Sequence, residues 1–459
     1  MMTARELVGN WLKNQRNIGV RLEDKRNLIE DVIIITSMSD YGKNEIYFVG
    51  TYANTSGCSG YLKDIDSVSI LEGEELTKLF SLYEKKQVEN LHSQLSHSGY
   101  VGVLSEFFVE DEDGACIPSS AFLATRPSSS SKSWYDSKVD SHQNGVAGEI
   151  QTTYNSCLAI TIDSLAYGLK HLSDSAKKLS SKAKVSAKSV MPISDAIMQA
   201  STDKMPTLGN ATVSNAYGLK LNAPDPRTVP FRCAQSALQF QLYGFNNLTE
   251  ERGKSIVMTL DATLGVACVS LLAGINHPDR VKLGGLPGDY RIVTSALEYF
   301  SLGNSWMIHP MIANLVFDFA RKCAILGHKN LGKYWSASKE DVISCMMDLD
   351  VDKAHAIMDR NKDIMMKIFQ AAWPICNGSN AAGVPNLSNE IKPDKARDVM
   401  YDIFYNGITT VIDNPTDMSA NWTLDGTWIA HSEGDNKNVW RTLNALYGTR
   451  KFPNQVVHG

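Results

Sequence analysis

The pattern of apolar and polar positions changes character along the chain. Leu7, Val8, Trp11 and Leu12 recur with helical spacing and charges fill the other face, so residues 3–29 are predicted to form one or two helices. Two β-branched and aromatic runs follow, Asp31–Thr36 and Glu45–Tyr52, separated by a cluster of turn residues, and they predict a strand pair. Helical spacing returns over residues 74–95. Tyr100–Glu110 reads as a further strand ending in the acidic turn Glu110–Gly114. Residues 1–125 are therefore expected to be an α+β domain.

Arg126-Pro127 ahead of Ser128–Ser131 has the composition of a linker, and residues 132–150 stay polar. An apolar helical pattern runs from Gln151 to about Leu172. Ser173–Lys188 is small and basic, and Pro206, Pro224, Pro226 and Pro230 predict irregular backbone. Residues 126–230 are expected to be a linker and a partly helical intermediate region. From Phe231 onward the spacing predicts helices: Phe231–Tyr243, Arg252–Leu272, Tyr290–Leu302, His309–Leu326, Ser338–Leu349, Asp352–Ala372, Pro393–Val411 and Asn436–Tyr447. Ser338, with Asp341 three residues on, is a variant capping box, and Pro393 suits a first helical turn. The expected fold is mainly α, with residues 231–459 a helical bundle core that ends in a C-terminal arm.

Composition changes this picture little. The chain has 459 residues, 43% hydrophobic and 21% charged, which suits a globular protein of two or three domains. Its net charge of -5 is not that of a chain coated with basic side chains, so any nucleic-acid surface must be locally basic. The eight cysteines are scattered without CxxC pairs, predicting reduced, mostly buried thiols. The first residues lack a signal-peptide pattern, and no apolar run reaches bilayer length.

Motifs for chemistry are sparse. Gly253-Lys254-Ser255 ends like a phosphate-binding loop, but Leu248 stands where its first glycine belongs. Gly284-Gly285-Leu286-Pro287-Gly288 lacks the GxGxxG spacing and reads as a plain turn. Asp348, Asp350 and Asp352 alternate without the Gly and terminal Glu of a calcium loop. The ten histidines show no metal or catalytic spacing. These observations predict no catalytic residue, metal site or cofactor.

The most informative stretch is Asn314–Gly327. It is strongly apolar yet contains Arg321, which shares a helical face with Phe317 and Ala324. A cation there needs a carboxylate or a phosphate. Asp402 sits in a similar setting within Lys395–Tyr405, so the two invite a buried pair. Ala320–Ala324 and Tyr401–Tyr405 resemble the Ala-Arg-x-Cys-Ala-like and Phe-Asp-Phe-Tyr-like motifs of flexible filamentous plant-virus coat proteins, the potexvirus and potyvirus type. The second match carries Ile403 as an extra residue. The resemblance covers residues 290–410. It implies a coat or nucleocapsid protein that polymerises on single-stranded RNA, in the virion and the host cytoplasm, without a membrane. Arg321, Lys322 and Arg397 would meet phosphates, Tyr334 and Trp335 would stack on bases, and an Arg321–Asp402 pair would support the pocket. The terminal arms would dock onto neighbouring subunits. A scaffold that assembles without nucleic acid is the alternative, favoured by the acidic net charge.

Overall fold

A computed structural model describes residues 18–24, 29–40, 46–52, 57–61, 67–89, 91, 95, 99–125, 139–152, 154–155, 158–201, 213–221, 229–242, 248–293, 296–372, 393–410, 412 and 418–422. The chain divides into two compact units, Met1–Gln94 and Leu95–Gly459. The expected helix Asn436–Tyr447, both terminal arms and the Arg126–Ser131 linker lie outside the described residues.

The first unit is an antiparallel sheet with one described helix. Strands β1 (Ile18–Asp24), β2 (Ile29–Asp40), β3 (Ile46–Tyr52), β4 (Gly57–Tyr61) and β5 (Ser67–Ile70) take the order β4-β3-β2-β1-β5. Helix α1 (Gly73–Glu89) packs Leu79, Leu76 and Phe80 against Ile34 and Leu71. The predicted β2–β3 pair is present, with Ile33 opposite Tyr52. Ile18–Asp24 is a strand where helix was expected, because Val20 and Leu22 alternate with Arg21 and Glu23 at the strand period.

The second unit is built on an eight-stranded antiparallel sheet. Its strands are β6 (Tyr100–Glu110), β7 (His142–Asn144), β8 (Ala147–Gln151), β9 (Lys184–Ser186), β11 (Ser214–Asn215), β13 (Ser236–Gln241), β14 (Asp289–Val293) and β15 (Ala296–Tyr299). The order is β11-β14-β15-β13-β6-β8-β7, with β9 also on β6. A separate pair joins β10 (Val190–Pro192) to β12 (Phe231–Cys233). The helices are α2 (Leu158–Leu179), α3 (Asp195–Ser201), α4 (Glu250–Leu271), α5 (Arg280–Leu283), α6 (Pro310–His328), α7 (Lys339–Asp348), α8 (Val351–Arg360), α9 (Lys362–Ala372), α10 (Pro393–Asn406) and α11 (Met418–Trp422).

This architecture overturns the expected mainly α fold; the protein is mixed α/β. Phe231–Tyr243 and Tyr290–Leu302, expected as helices, supply β12–β13 and β14–β15. The physical reason is burial on both faces. Ser236–Phe240 is buried at every position, and such a run carries no alternation that separates it from a buried helix. Residues 142–150, expected to stay polar, lie in the β7–β8 hairpin with Ile150 in the core, and Gln151, expected to open a helix, ends β8. Tyr100–Glu110 is a strand as expected, but it pairs inside the second unit, with β13, β8 and β9.

Helix α6 is the axis of the core. Every residue from Ile312 to Gly327 is buried, the polar Asn314, Asp318, Arg321 and Lys322 included. Trp306 meets Phe317 edge-on at 5.0 Å, and Phe319 packs with Phe369 and Phe404 at 4.7 and 5.0 Å. Helix α4 is the one described helix long and apolar enough to cross a membrane, and 78% of its apolar window is buried inside the protein. It is broken by a π turn at Asp261–Gly265. Cys116, Cys268, Cys323 and Cys345 are buried free thiols.

The predicted cap of α7 is formed, Ser338 Oγ accepting from the Asp341 amide at 3.0 Å. Ser338→Ala is expected to lower stability by about 1 kcal/mol, read as a small drop in melting temperature.

Candidate nucleic-acid interface

The residues singled out in the sequence separate into core and surface. Arg321 is buried and donates through Nε to Asp318 Oδ1 at 2.9 Å, with a second bond from Nη2 to the same oxygen. Its Nη1 donates to Gly99 O at 3.3 Å. The charge partner of Arg321 is thus one helical turn away on α6, and the expected pair with Asp402 is not formed. Asp402, on α10, feels Asp398 and Lys362 instead; partial burial and Asp398 lift its carboxyl, while Lys362 pulls it down. Burial raises the Asp318 carboxyl against the pull of Arg321 and Lys322, and it lowers the buried Lys322 amine. Trp335 is also buried. Arg397 is half-buried and bonds its neighbour Asp398 at 3.2 Å. Of the predicted RNA-contact residues, Tyr334 lies nearest to an exposed cationic surface.

That surface follows one side of α4. Arg252, Ile256 and Thr259 share a helical face, at spacings of four and three residues. Arg252 donates to the His328 carbonyl at 2.8 Å, where α6 ends, so a cation meets the negative end of that helix. The chain then stays close to α4: a Cβ on Gly327 would stand 2.9 Å from Ile256 Cα, and one on Gly332 2.4 Å from Thr259 Oγ1. This close passage presents Lys329, Lys333 and Lys339 as exposed side chains. Lys333 Nζ lies 5.0 Å from the Tyr334 ring centre, and Lys339 Nζ lies 5.5 Å from that of Tyr217. Arg252 and two cation–aromatic contacts, Lys333 on Tyr334 and Lys339 on Tyr217, thus lie on this side of the second unit. Glu250, Glu251, Glu340 and Asp341 border the row at helix N-termini and temper its potential.

Beneath the Tyr217 end lies a buried polar centre. Asp261, in the π turn, accepts from the Tyr299 hydroxyl at 2.6 Å. The hydroxyls of Tyr217 and Ser301 and the Gly288 amide also face its carboxyl, yet burial dominates and pushes it up to about 7. Only Tyr299 meets Asp261 in full hydrogen-bond geometry; Oδ2 has no such partner among the described residues. The glycine-rich loop forms the opposite wall. Arg280 donates to Ser301 O at 3.1 Å and to Gly285 O, while Asp289 accepts from the Leu286 amide and from Asn215 Nδ2, each at 2.8 Å. Gly285 has φ 72, and a Cβ there would meet Phe300 O at 2.7 Å, so the loop is a packed helix-to-strand turn. Nothing in the sequence brought Asp261, Tyr217 and Gly288 together; the only local hint was the glycine cluster.

The remaining motifs are structural. Lys254 and Ser255 lie inside α4, past its first turn. Asp350 caps α8, accepting from the Lys353 amide at 2.9 Å. Ser270 donates to Tyr405 O at 2.7 Å and lies 2.8 Å from His355 Nε2, tying α4, α8 and α10 together. No group of three metal-binding side chains occurs among the described residues.

No family model and no curated protein matches the sequence. Among solved structures, a bifunctional glutathione synthetase from Pasteurella multocida is 9% identical with a TM-score of 0.30, over 75% of this chain and 53% of that one. Proteasome accessory factor B/C (PafBC) of Arthrobacter aurescens is 12% identical with a TM-score of 0.10, over 75% of this chain and 52% of that one. The chain spans about half the length of either match, and overlays this poor assign neither fold nor activity.

Proposed function

We propose that the chain is an assembly protein of the nucleocapsid kind that binds single-stranded RNA along the α4 row. The observation that carries this reading is the pair of cation–aromatic contacts, Lys333 on Tyr334 and Lys339 on Tyr217, with Arg252 and the exposed Lys329 on the neighbouring segments. Single strands are held in this way, by cations that track phosphates and aromatic faces on which bases stack. The row is local, which reconciles RNA binding with a net charge of -5. Arg321, Lys322 and Trp335 stabilise the core from within and do not touch the nucleic acid.

Fluorescence anisotropy with a labelled oligouridylate tests the reading. Three phosphate contacts give a slope of log affinity against log salt of about −2, at about −0.7 per contact. Lys329→Glu/Lys333→Glu/Lys339→Glu is expected to weaken binding about 10- to 100-fold with melting unchanged. Tyr334→Ala removes a stacking face, about 1–3 kcal/mol. The acidic border of the row favours the scaffold alternative, which predicts particles free of RNA by their 260/280 nm absorbance ratio and images unaltered by nuclease.

A further inference from the structure

Arg280 opens α5 and is buried, with 5% of its surface exposed. Two glycines make room for its side chain. A Cβ on Gly303 would stand 2.7 Å from Arg280 Cδ, and one on Gly285 would stand 2.7 Å from Nη1. A guanidinium keeps its charge in a protein and can only donate hydrogen bonds. Here Nη1 donates to Gly285 O at 3.4 Å and Nη2 to Ser301 O at 3.1 Å, both neutral carbonyls. Nε has no hydrogen-bond partner among the described residues. No described carboxylate lies within 4.0 Å of the guanidinium either. Asp289 acts on it from further off, and both its oxygens are taken, Oδ2 by the Leu286 amide and Oδ1 by Asn215 Nδ2, each at 2.8 Å. The other ionisable groups around Arg280 are the Cys233 and Cys268 thiols and the Tyr299 phenol, all kept neutral by burial.

A second donor stands at the same place. Ser189, the residue before β10, is buried, and its Oγ has no partner among the described residues. Its carbonyl accepts from the Ala234 amide at 2.9 Å, which pins the segment beside β12. Gly303 marks the meeting point: a Cβ built there would lie 3.4 Å from Arg280 Nε and 3.4 Å from Ser189 Cβ.

We infer that Arg280 Nε and Ser189 Oγ are the donor pair of a buried site for a small monovalent inorganic anion, of the chloride type, beside Gly303. Charge selects an anion over water. Carbonyl dipoles solvate a buried cation without cancelling its charge, and a buried charge is ordinarily compensated by an opposite one. Size selects a single small ion: even a Cβ beside Gly303 would crowd Arg280, so a phosphate ester has no room. The ion would tie together three segments, the start of β10, α5 and the turn after β15. Its binding is independent of the RNA reading, and neither result bears on the other.

Crystals grown in sodium bromide test the site directly. An anomalous-difference peak is expected between Arg280 Nε and Ser189 Oγ. In solution, chloride in place of gluconate is expected to raise the melting temperature by about 3 °C. Ionic strength is held at about 150 mM in both buffers, so exposed charges are screened equally. Ser189→Ala removes one donor and is expected to weaken the chloride effect about 10-fold in apparent affinity, with melting in gluconate unchanged. Arg280→Met is expected to abolish the chloride effect; should it fail to fold, Ser189→Ala and the wild-type bromide crystal decide. An ordered water at that point with no anomalous signal overturns the inference. So does a chloride shift that Ser189→Ala leaves intact. A bromide peak with no chloride dependence of melting marks binding at crystal concentration only, and overturns it as well.

Discussion

Asp318→Ala is expected to cost about 3–5 kcal/mol, because it removes a buried carboxylate that neutralises the Arg321 guanidinium and the Lys322 amine. The melting temperature should fall on the order of 5–10 °C. Asp402→Ala should stay within about 1 kcal/mol, since Asp402 is part-exposed and shares a screened surface with Lys362 and Asp398. The contrast between the two variants separates the pair on α6 from the pair anticipated from sequence. Arg321→Met combined with Asp318→Leu should recover most of the loss, because a buried ion pair gives little over apolar packing of the same volume. Equal melting of Asp318→Ala and Asp402→Ala would show that Arg321 does not depend on its helical neighbour. Thermal denaturation followed by circular dichroism decides the matter.

The second large effect is in pH. Asp261 is fully buried and its carboxyl sits at about 7, above the usual carboxylate range. A group whose folded value is raised binds its proton more tightly in the native state than in the unfolded one. Its favourable contribution is therefore complete in acid, below the unfolded value, and is lost as pH climbs through 7. Between pH 5 and pH 8 the loss is on the order of 3 kcal/mol from this group. Glu106 adds to it with the same sign: its carboxyl is also lifted to about 7, chiefly by burial and further by Glu149, its cross-strand neighbour. Part of the Glu106 side chain reaches the surface, so Asp261 is the better probe of the two. Chemical denaturation at both pH values should show wild-type less stable at pH 8, and Asp261→Asn should remove much of the difference. A stability that rises from pH 5 to pH 8, unchanged in the variant, contradicts the assignment.

Parts of this structure were legible in the sequence, for physical reasons visible in single residues. The Ser338 cap, the β2–β3 pair and the long apolar helix through Phe317 each declare themselves through local chemistry or period. The strands β13 and β15 do not, because they are buried on both faces, Ser236, Gln239 and Glu298 included, so polarity does not alternate with burial along them. The partner of Arg321 was in plain view one turn earlier, at Asp318. A motif likeness pointed past it to Asp402, although an i, i+3 carboxylate is the shorter route to compensation. The α4 row was only half legible. Tyr334 is singled out in the sequence as a base-stacking aromatic, whereas Tyr217, Gly288 and Asp261 meet only through the β11–β14 pairing and the loop beyond it.

The π turn at Asp261–Gly265 fixes how the chain may be counted. A wider turn takes in an extra residue, and one residue rotates the remainder of the helix by about 100°. The halves of α4 are therefore out of phase: the first turns Arg252 and Thr259 toward the end of α6, and the second turns Ser270 toward His355 and Tyr405. Losing a single residue here would restore an unbroken helix at the expense of one of these alignments. Substitutions in the segment alter one side chain, whereas a change of length shifts the whole second half.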